Sequence, residues 1–354
     1  MKSAIIMGTR PEIIKLYPIV NQLKDSFLIL TGQHYDYNLS LQFIEDLGIR
    51  KPDFSLNLKN RNPAIQTGEL IMKLSQIFSK VKMDTVIVQG DTNTALAASM
   101  ASLKTGIPVS HVESGLRSFD WRMPEEHNRI AIDHISELLF APTQATKKNL
   151  TIENVHGKIF VTGNTVIDSI NKFATLSTKK TNLSINHKTF VLMTLHRSEN
   201  VDNKGILAGI VKAVLTSKEN FVFPVHPRTF KRLHEFNLYK KLEESKNVQM
   251  LKAVGYFDIM ELMKKCLFIL TDSGGIQEEA TSPKIRKKVL VVRRTTDRPE
   301  AVLAGLSDLV GTNSQRILSA IRRASKNPSI GKKKTPYGKG DAGRKIVDII
   351  QRTF

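Results

Sequence analysis

The sequence predicts an α/β protein of two domains, each built on a parallel sheet with helices on both faces. Three observations support this prediction. The 354 residues exceed the length at which one hydrophobic core normally keeps growing. Hydrophobic residues at 41% and charged residues at 24% are close to the average of globular proteins. Short β-branched runs also alternate with longer amphipathic stretches, which is the pattern of parallel βα units.

Two series of such units follow one another along the chain. In the first series, strands are predicted at 4–7, 28–31, 85–89, 109–112 and 138–141, and helices at 12–23, 39–47 and 94–104. In the second, strands are predicted at 190–194, 221–225, 267–270 and 289–292, and helices at 206–215, 256–264 and 277–280. A last helix at 343–352 cannot be assigned to a domain by its periodicity. We therefore expect two domains that join near residue 170, with ligands in a cleft beyond the carboxyl ends of the strands.

Composition limits the partners and the compartment. The net charge of +20 would suit a polyanion, but the basic clusters at 284–288 and 332–334 lack interleaved aromatic residues, so we interpret them as solvated surface without nucleic-acid binding. Cys266 is the only cysteine, which excludes a disulfide framework and a thiolate zinc site. The first apolar run ends at Arg10, too early for a signal peptide or a membrane span, which predicts a cytoplasmic protein.

The segment 269–280 reads as a strand, a turn of small residues and the start of a helix. Gly274 and Gly275 permit close approach of a ligand, Ser273 adds a hydroxyl, and the helix dipole favours an anion. Glu279, one turn later, is placed to bind a ribose diol. An ordinary capped helix start explains the same residues about equally well.

A second turn, GTRPE at 8–12, also follows a predicted strand. Pro11 suits the first helical turn, and Lys15 lies one turn further along the same face. Arg10 and Lys15 together are candidates to hold a diphosphate. Taken alone, they fit ordinary charges at a helix start slightly better.

Three carboxylates lie where strands are expected to end. Asp91 fits a helix N-cap as well as a catalytic role, and Glu125 fits an ion pair with Arg129 as well as a catalytic role. Glu113 is harder to explain structurally. It directly follows the apolar run 107–112, where a parallel sheet exposes side chains to ligand.

Two histidines end neighbouring strands of the second series in the same way. His196 follows the run 190–195 and His226 follows the run 221–225. One such histidine is usually structural, but two on adjacent strands favour a ligand site. No metal site is predicted, because no HExxH spacing or cysteine pair occurs in the chain.

Eleven short motifs follow one another along the chain. They are GTRPE, GQH at 32–34, QGDTNT, HVESGLRS, PEEHNR, GNTVID at 163–168, LHRSEN, VHP at 225–227, TDSGGIQEEA, RTTDRPEA at 294–301 and PYG at 336–338. Taken together, these motifs resemble the non-hydrolysing UDP-N-acetylglucosamine 2-epimerases over the whole chain. Each motif is weak alone, but their shared order makes a chance match very improbable.

The resemblance implies the GT-B architecture, two Rossmann-like domains whose sheets face each other across a cleft, usually in a homodimer. It implies an N-terminal domain at 1–169, with a helix at about 341–354 packed back on it, and a UDP-binding domain at 170–340. The implied catalytic residues are Asp91, Glu113, Glu125, His196, Arg10 and Lys15. The implied UDP-binding residues are Arg10, Lys15, His226, Ser273, Gly274, Gly275, Glu279 and Arg298.

The implied activity is reversible interconversion of UDP-GlcNAc and UDP-ManNAc. Since C2 of the sugar is not beside a carbonyl, its proton is too weakly acidic for simple removal. Transient oxidation by NAD is not expected, because the first turn lacks the GxGxxG sequence. The remaining route eliminates UDP to give a 2-acetamidoglucal, with carboxylates near C2 and cations on the diphosphate, and then adds UDP back.

Three other functions stay open. A hydrolysing 2-epimerase would release ManNAc and UDP from the same fold. An epimerase for a UDP-diacetamido-uronic acid would suit the positive charge of the chain. A retaining GT-B glycosyltransferase is more distant, because it needs no acids near C2.

Overall fold

The computed structural model describes residues 1–32, 37–58, 62–181 and 183–354. The strands are β1 Ser3–Met7, β2 Ser26–Leu30, β3 Phe54–Ser55, β4 Thr85–Gln89, β5 Val109–Val112, β6 Leu138–Ala141, β7 Lys158–Val161, β8 Val191–Thr194, β9 Phe221–Pro224, β10 Val248–Leu251, β11 Ile269–Thr271, β12 Val289–Val291 and β13 Ser307–Leu309. The helices are α1 Arg10–Val20, α2 Tyr37–Asp46, α3 Pro63–Phe78, α4 Asn93–Lys104, α5 Pro124–His134, α6 Gln144–Ile152, α7 Thr165–Lys180, α8 Ser198–Val201, α9 Lys204–Ser217, α10 Pro227–Glu235, α11 Tyr239–Glu243, α12 Tyr256–Lys265, α13 Gly274–Glu279, α14 Pro299–Leu303, α15 Ser314–Lys326 and α16 Ala342–Thr353.

The chain divides into two compact units. The first comprises Met1–Ser169 and Tyr337–Phe354, and the second comprises Ile170–Pro336. The division therefore falls within α7. The C-terminal helix α16 belongs to the first unit, where its backbone N–H groups at Ala342 and Gly343 donate to the Asp168 carboxylate at 3.2 and 3.0 Å.

Both sheets are parallel and share one winding order. The first unit has the order β3-β2-β1-β4-β5-β6-β7, and the second has β10-β9-β8-β11-β12-β13. Each is the doubly wound order. The direction of winding reverses between β1 and β4 in the first unit and between β8 and β11 in the second. Ligands of such sheets bind where the winding reverses, so the turns after β1 and β4, and those after β8 and β11, are the expected ligand positions.

The cores explain why the strands are continuous apolar runs. In the first unit, Ile6, Val86 and Val88 pack with α3 and α4, while Ile5 and Ile87 point the opposite way and are fully buried too. A strand buried on both faces needs no polar alternation. In the second unit, strands β8, β9, β11 and β12 pack in the same manner against α9 and α15.

Among the described residues, none of the helices combines the length and apolarity needed to cross a membrane.

Candidate active site

In the first unit, Glu12 joins the two turns at the point where the winding reverses. Its Oε2 accepts hydrogen bonds from the backbone N–H groups of Gly8 and Thr9, at 3.1 and 2.6 Å. Its Oε1 accepts from the hydroxyl of Thr92 at 2.7 Å, in the turn after β4. Burial raises the pKa of Glu12 to about 7, although these hydrogen bonds oppose the shift. This carboxyl therefore fixes the turns that carry Arg10 and Asp91 relative to each other.

The turn after β1 is closely packed. A Cβ added at Gly8 would lie 2.2 Å from the Thr94 hydroxyl and 2.7 Å from the Thr31 hydroxyl. Only glycine fits there, and the space next to the backbone is already filled by side chains. The turn therefore lacks the open glycine-lined approach that dinucleotide-binding folds offer to a pyrophosphate.

The two cations of the first turn have different environments. Arg10 is exposed, and its guanidinium lies 5.7 Å from the centre of the Phe43 ring. Lys15 is buried, and its Nζ lies 2.5 Å from Oε2 of Glu113. The structure thus pairs a predicted cation with a predicted acid, and it leaves Arg10 accessible to an anion.

Glu113 is held in an uncommon backbone conformation with several partners. Its φ is 70°, the left-handed region that non-glycine residues seldom adopt. The amides of Gln89 and Asn164 donate to Oε2 of Glu113 at 3.1 and 3.3 Å, on the same oxygen that faces Lys15. Strained residues with such over-determined surroundings are concentrated at functional sites.

The PYG motif supports Asn164 from the C-terminal segment. The backbone N–H of Asn164 donates to the carbonyl of Tyr337 at 2.8 Å. A Cβ at Gly163 would lie 2.9 Å from that carbonyl oxygen and 3.4 Å from Cα of Gly338. Two glycines therefore allow the C-terminal segment to reach a residue that binds Glu113.

A buried ionic network underlies the turn that carries Glu113. His111 places Nδ1 2.7 Å from Asp133 and Nε2 2.9 Å from the carbonyl oxygen of Gly90. Asp133 also accepts from the N–H of Gly115 at 3.1 Å and pairs with Arg117 at 2.8 Å. Both ring nitrogens of His111 therefore face oxygen atoms. The network fixes the backbone on both sides of Glu113.

Asp91 is bound to the start of α5. Its carboxylate accepts from the guanidinium of Arg129, at 3.0 Å from Nε, and its carbonyl accepts from the Asn128 amide at 2.9 Å. Arg129 also donates to Glu126 at 3.0 Å, and Glu126 accepts from the N–H groups of the preceding loop. Glu125 is half-buried in the first turn of α5. The N-cap of α4 is Thr92, not Asp91.

In the second unit, the turns after β8 and β11 meet at Asp272. This fully buried carboxylate accepts from the N–H groups of His196 and Arg197, both at 3.1 Å, and from the Asn200 amide at 3.1 Å. His196 Nδ1 lies 3.3 Å from Asp272, which directs Nε2 away from that carboxylate. Burial lowers the pKa of His196, and the nearby Asp272 only partly opposes that shift.

The second predicted histidine lies beside the first. The ring centres of His196 and His226 are 5.6 Å apart. Nδ1 of His226 accepts from the N–H of Arg228 at 3.2 Å and caps α10, so in the neutral ring the proton is on Nε2. Burial lowers the pKa of His226 as well, and the positive charge of Arg228 lowers it further.

The small-residue turn after β11 has the expected shape. The Ser273 hydroxyl caps α13 and accepts from the N–H of Ile276 at 3.5 Å, while Glu279 is buried in the last turn of this short helix. Side chains of Asp297 and Arg197 lie close to Gly274. A Cβ added at Gly274 would lie 3.4 Å from Asp297 Oδ1 and 3.9 Å from Arg197 Nη2. Gly275 has only Ser273 Oγ at 4.0 Å, so its backbone lies open on that side.

Arg298 is held beneath this turn by two acids. Its guanidinium pairs with Glu278 at 2.5 Å and with Asp297 at 3.1 Å, and all three side chains are buried. Asp297 also pairs with Arg293 at 3.1 Å. Arg298 thus orders the turn through ion pairs, a role that its sequence position did not predict.

Several supporting residues escaped the sequence reasoning. They are Glu12, Gln89, His111, Glu126, Asp133, Asn164, Arg197 and Asp272. Most of them belong to the motifs already named, so their place in a motif could have identified them from the sequence. Their contacts could not be predicted, because these depend on which strands are neighbours. Arg197 carries a further indication of a ligand, because its buried Nε has no hydrogen-bond partner among the described residues.

Two sequence predictions are left, the role of the GQH motif and the absence of a metal site. In the GQH motif, residues 33 and 34 lie outside the described residues. Within the described part of the chain, no three His, Cys, Asp or Glu side chains are grouped so that they could hold a metal ion.

Comparison with known proteins identifies the family. Residues 21–351 match the family model described as UDP-N-acetylglucosamine 2-epimerase. The chain is 42% identical to the UDP-N-acetylglucosamine 2-epimerase of Methanocaldococcus jannaschii over 99% of both chains. It is 36% identical to the UDP-2,3-diacetamido-2,3-dideoxy-D-glucuronate 2-epimerase of Pseudomonas aeruginosa over 99% of this chain and all of the other.

A solved structure agrees with these sequence relationships. The crystal structure of the M. jannaschii UDP-GlcNAc 2-epimerase in complex with UDP-GlcNAc and UDP matches with a TM-score of 0.88 at 41% identity, and it covers 99% of this chain and all of that one. The family and the fold class predicted from the motifs are thereby confirmed. This chain belongs to the UDP-N-acetylglucosamine 2-epimerase family and has its GT-B fold, with two parallel α/β sheets.

Proposed function

We propose that this protein interconverts UDP-GlcNAc and UDP-ManNAc. The observation that carries the proposal is Glu113, a buried acid in a strained conformation that contacts Lys15 beside the edge where α/β sheets bind ligands. An epimerase acting at an unactivated carbon needs a base next to C2 and a cation next to the leaving group. The family relationship supports the same substrate.

The route we propose is elimination followed by addition. UDP leaves from C1 while a carboxylate side chain accepts the C2 proton, which gives 2-acetamidoglucal and UDP. The C1–O bond then forms again, and C2 receives a proton on the opposite face. No oxidant is consumed, and atoms and charge balance over the cycle.

In the first unit we assign the proton transfers to Asp91, Glu113 and Glu125. Lys15 and Arg10 are assigned to the diphosphate, whose negative charge grows as the C1–O bond breaks. Lys15 is ion-paired with Glu113, so a cation assigned to the diphosphate lies beside a group assigned to proton transfer. These residues belong to the domain we place at 1–169, together with the helix at about 341–354.

In the second unit we assign UDP binding to the turns after β8 and β11. The N–H groups at Ser273, Gly274 and Gly275 and the half-buried Arg197, with its buried Nε, favour phosphate oxygens. Glu279 is assigned to the ribose. These residues lie in the domain we place at 170–340.

The two histidines and Arg298 complete this assignment. His196 Nε2 and His226 Nε2 are the ring nitrogens not used by Asp272 and Arg228. Because an anion favours the imidazolium, His196 is expected to take up a proton when the diphosphate binds. Arg298 acts as a positioning residue through its pairs with Glu278 and Asp297.

We further propose that the reaction uses neither NAD nor a metal. The first turn is filled by the Thr94 and Thr31 hydroxyls where a dinucleotide would need an open approach. The chemistry of the elimination route also needs only acids, bases and cations. A homodimer, the absence of nucleic-acid and membrane partners, and a cytoplasmic location stay predictions from the sequence and the resemblance.

Product analysis tests the proposal. The purified protein is incubated with UDP-GlcNAc, and in a parallel reaction with the corresponding UDP-diacetamido-glucuronate, the substrate class suggested by the P. aeruginosa relative. We expect UDP-ManNAc from the first reaction and no turnover in the second. Free ManNAc with UDP would identify a hydrolysing enzyme, and turnover of the uronate alone would move the activity to that substrate.

A further inference from the structure

A recess in the second unit lies apart from the turns assigned to UDP. Its volume is ≈ 960 Å³, within the range of small-molecule sites. It is lined by residues after β12, by the loop after β13 and by one side of α15. The proposed UDP turns follow β8 and β11 instead, so the recess lies further along the same edge of the sheet.

Arginine dominates the lining of this recess. Arg294, Arg316 and Arg323 all line it, and none of them forms an ion pair with a described residue. Arg293 adds a fourth guanidinium and pairs with Glu199 and Asp297. The single acid of the lining is Asp308, whose carboxylate lies 3.9 Å from Lys288. The recess therefore carries a large excess of positive charge.

The fold presents these arginines together. Arg316, Ser319 and Arg323 are spaced at i, i+3 and i+7, which places them on one face of α15. The loop from Val310 to Asn313 also lines the recess, and Gly311 in this loop has a φ of 72°. Hydroxyl groups and backbone atoms thus lie among the guanidinium groups, as in sites that recognise phosphate oxygens.

The physical cost of this arrangement points to an anion. Like charges a helical turn or two apart repel each other, so the cluster gains from a multivalent counter-charge. Guanidinium groups recognise phosphate bidentately, and they do so better than ammonium groups. Nucleic acid fits the recess less well, because no aromatic side chain lines it to stack on bases.

We propose that the arginine recess, defined by Arg293, Arg294, Arg316 and Arg323, binds a small molecule with two or more linked phosphates, at a site separate from the UDP turns. Such a ligand fills a concave site and reaches more than one guanidinium at once. Binding is expected to weaken as salt rises, because Arg294, Arg316 and Arg323 are exposed.

Calorimetric titration with pyrophosphate tests this proposal on the full chain. The test variant is Arg316→Gln with Arg323→Gln, and the matched control is Arg322→Gln, an exposed arginine of the same helix that does not line the recess. We expect wild type and control to bind pyrophosphate with and without UDP, and the double variant to lose at least about tenfold in affinity. Arg294→Gln, on a different element, is expected to weaken binding as well.

Four results would overturn the proposal. They are no binding of pyrophosphate at millimolar concentration, equal loss in Arg322→Gln, displacement of pyrophosphate by UDP, and displacement by a mixed-sequence RNA oligomer that binds more tightly. Circular dichroism and the epimerase rate without pyrophosphate are expected to match wild type in all variants. These readouts separate a failed recess from a failed epimerase, since the epimerase assay does not involve pyrophosphate.

Discussion

At the residue scale, the most informative contacts are the ion pairs of the proposed catalytic acids. Glu113 is ion-paired with Lys15, and Asp91 with Arg129. Motif reasoning identified the acids, but it did not reveal these partners, because the residues meet only after β1, β4 and β5 become neighbours. The alternative interpretation of Asp91 as a helix cap is wrong, because the N-cap of α4 is the next residue, Thr92.

The first prediction concerns the proposed acids. Glu113→Gln and Asp91→Asn are each expected to lower kcat by roughly 10²–10⁴-fold, because a proton-transfer group is lost. UDP affinity is expected to change by less than about threefold, because both residues are assigned to proton transfer and neither is assigned a contact with UDP. Steady-state kinetics and UDP titration measure the two effects, and Glu137→Gln, at an exposed acid of the same unit, is the control. Wild-type kcat in both variants would refute the assignment.

The second prediction uses the buried carboxyl of Glu12. Its pKa is about 7 in the folded protein against an ordinary value of 4.5, so the folded state holds the proton more tightly. The stability this provides is complete below about pH 4.5, and it is lost as pH rises through 7. Glu12→Gln, which resembles the protonated form, is expected to remove this loss, on the order of 3 kcal/mol at most.

Urea unfolding at pH 5 and pH 8 measures the effect of Glu12→Gln. The stability difference between the variant and wild type is expected to shift in favour of the variant at pH 8. Glu45→Gln, at an exposed acid, is expected to leave the pH dependence unchanged. Parallel pH profiles for Glu12→Gln and wild type would show that Glu12 does not hold its proton in the folded state.

At the element scale, the predictable strands are those buried on both faces. The patterns at 4–7, 85–89, 109–112 and 138–141 predicted β1, β4, β5 and β6 within one residue, because continuous apolar runs mark central parallel strands. Edge strands β3, β7 and β10 and the short β13 were missed, since they are part-exposed or only two to four residues long. Helix α3 was missed as well, although its four buried side chains recur every four residues.

Helix α9 gives a prediction at this scale. Its C-cap is Lys218, an exposed residue with φ 65° and ψ 7°, which is a left-handed conformation that glycine adopts without strain. Lys218→Gly is expected to raise the free energy of unfolding by about 0.5–1 kcal/mol. Lys218→Ala keeps the strain and is expected to give no gain. Urea denaturation measures the free energy of unfolding of both variants, and equal values would show that the cap is unstrained.

At the scale of the whole molecule, the sequence predicted the two α/β domains but not how the basic stretch at 281–288 is used. Arg286 donates to backbone carbonyls of the C-terminal segment, and Lys287 donates to the carbonyl of Cys266 at 2.5 Å. Part of the net charge of +20 therefore binds carbonyl oxygens within the second unit. Sequence alone cannot show this, because the accepting carbonyls are distant along the chain.

The return of α16 to the first unit provides a further prediction. A Cβ at Gly343 would lie 2.5 Å from Cβ of Pro18 in α1 and 3.2 Å from its backbone carbon, so Gly343→Ala is expected to destabilise the protein by about 1–3 kcal/mol. Gly209→Ala in α9 is the matched control, with its nearest contact at an ordinary 3.7 Å, and it is expected to be neutral or stabilising. Urea unfolding compares the two, and equal effects would contradict the close packing of α16 on α1.

The central claim is that the C2–H bond of the sugar breaks and forms again during turnover. Proton NMR of the enzyme with UDP-GlcNAc in deuterated water tests this claim most directly. The account predicts UDP-ManNAc that carries deuterium at C2, together with progressive loss of the C2 proton signal from UDP-GlcNAc. UDP-ManNAc that retains its C2 proton, or no reaction at all, would contradict it.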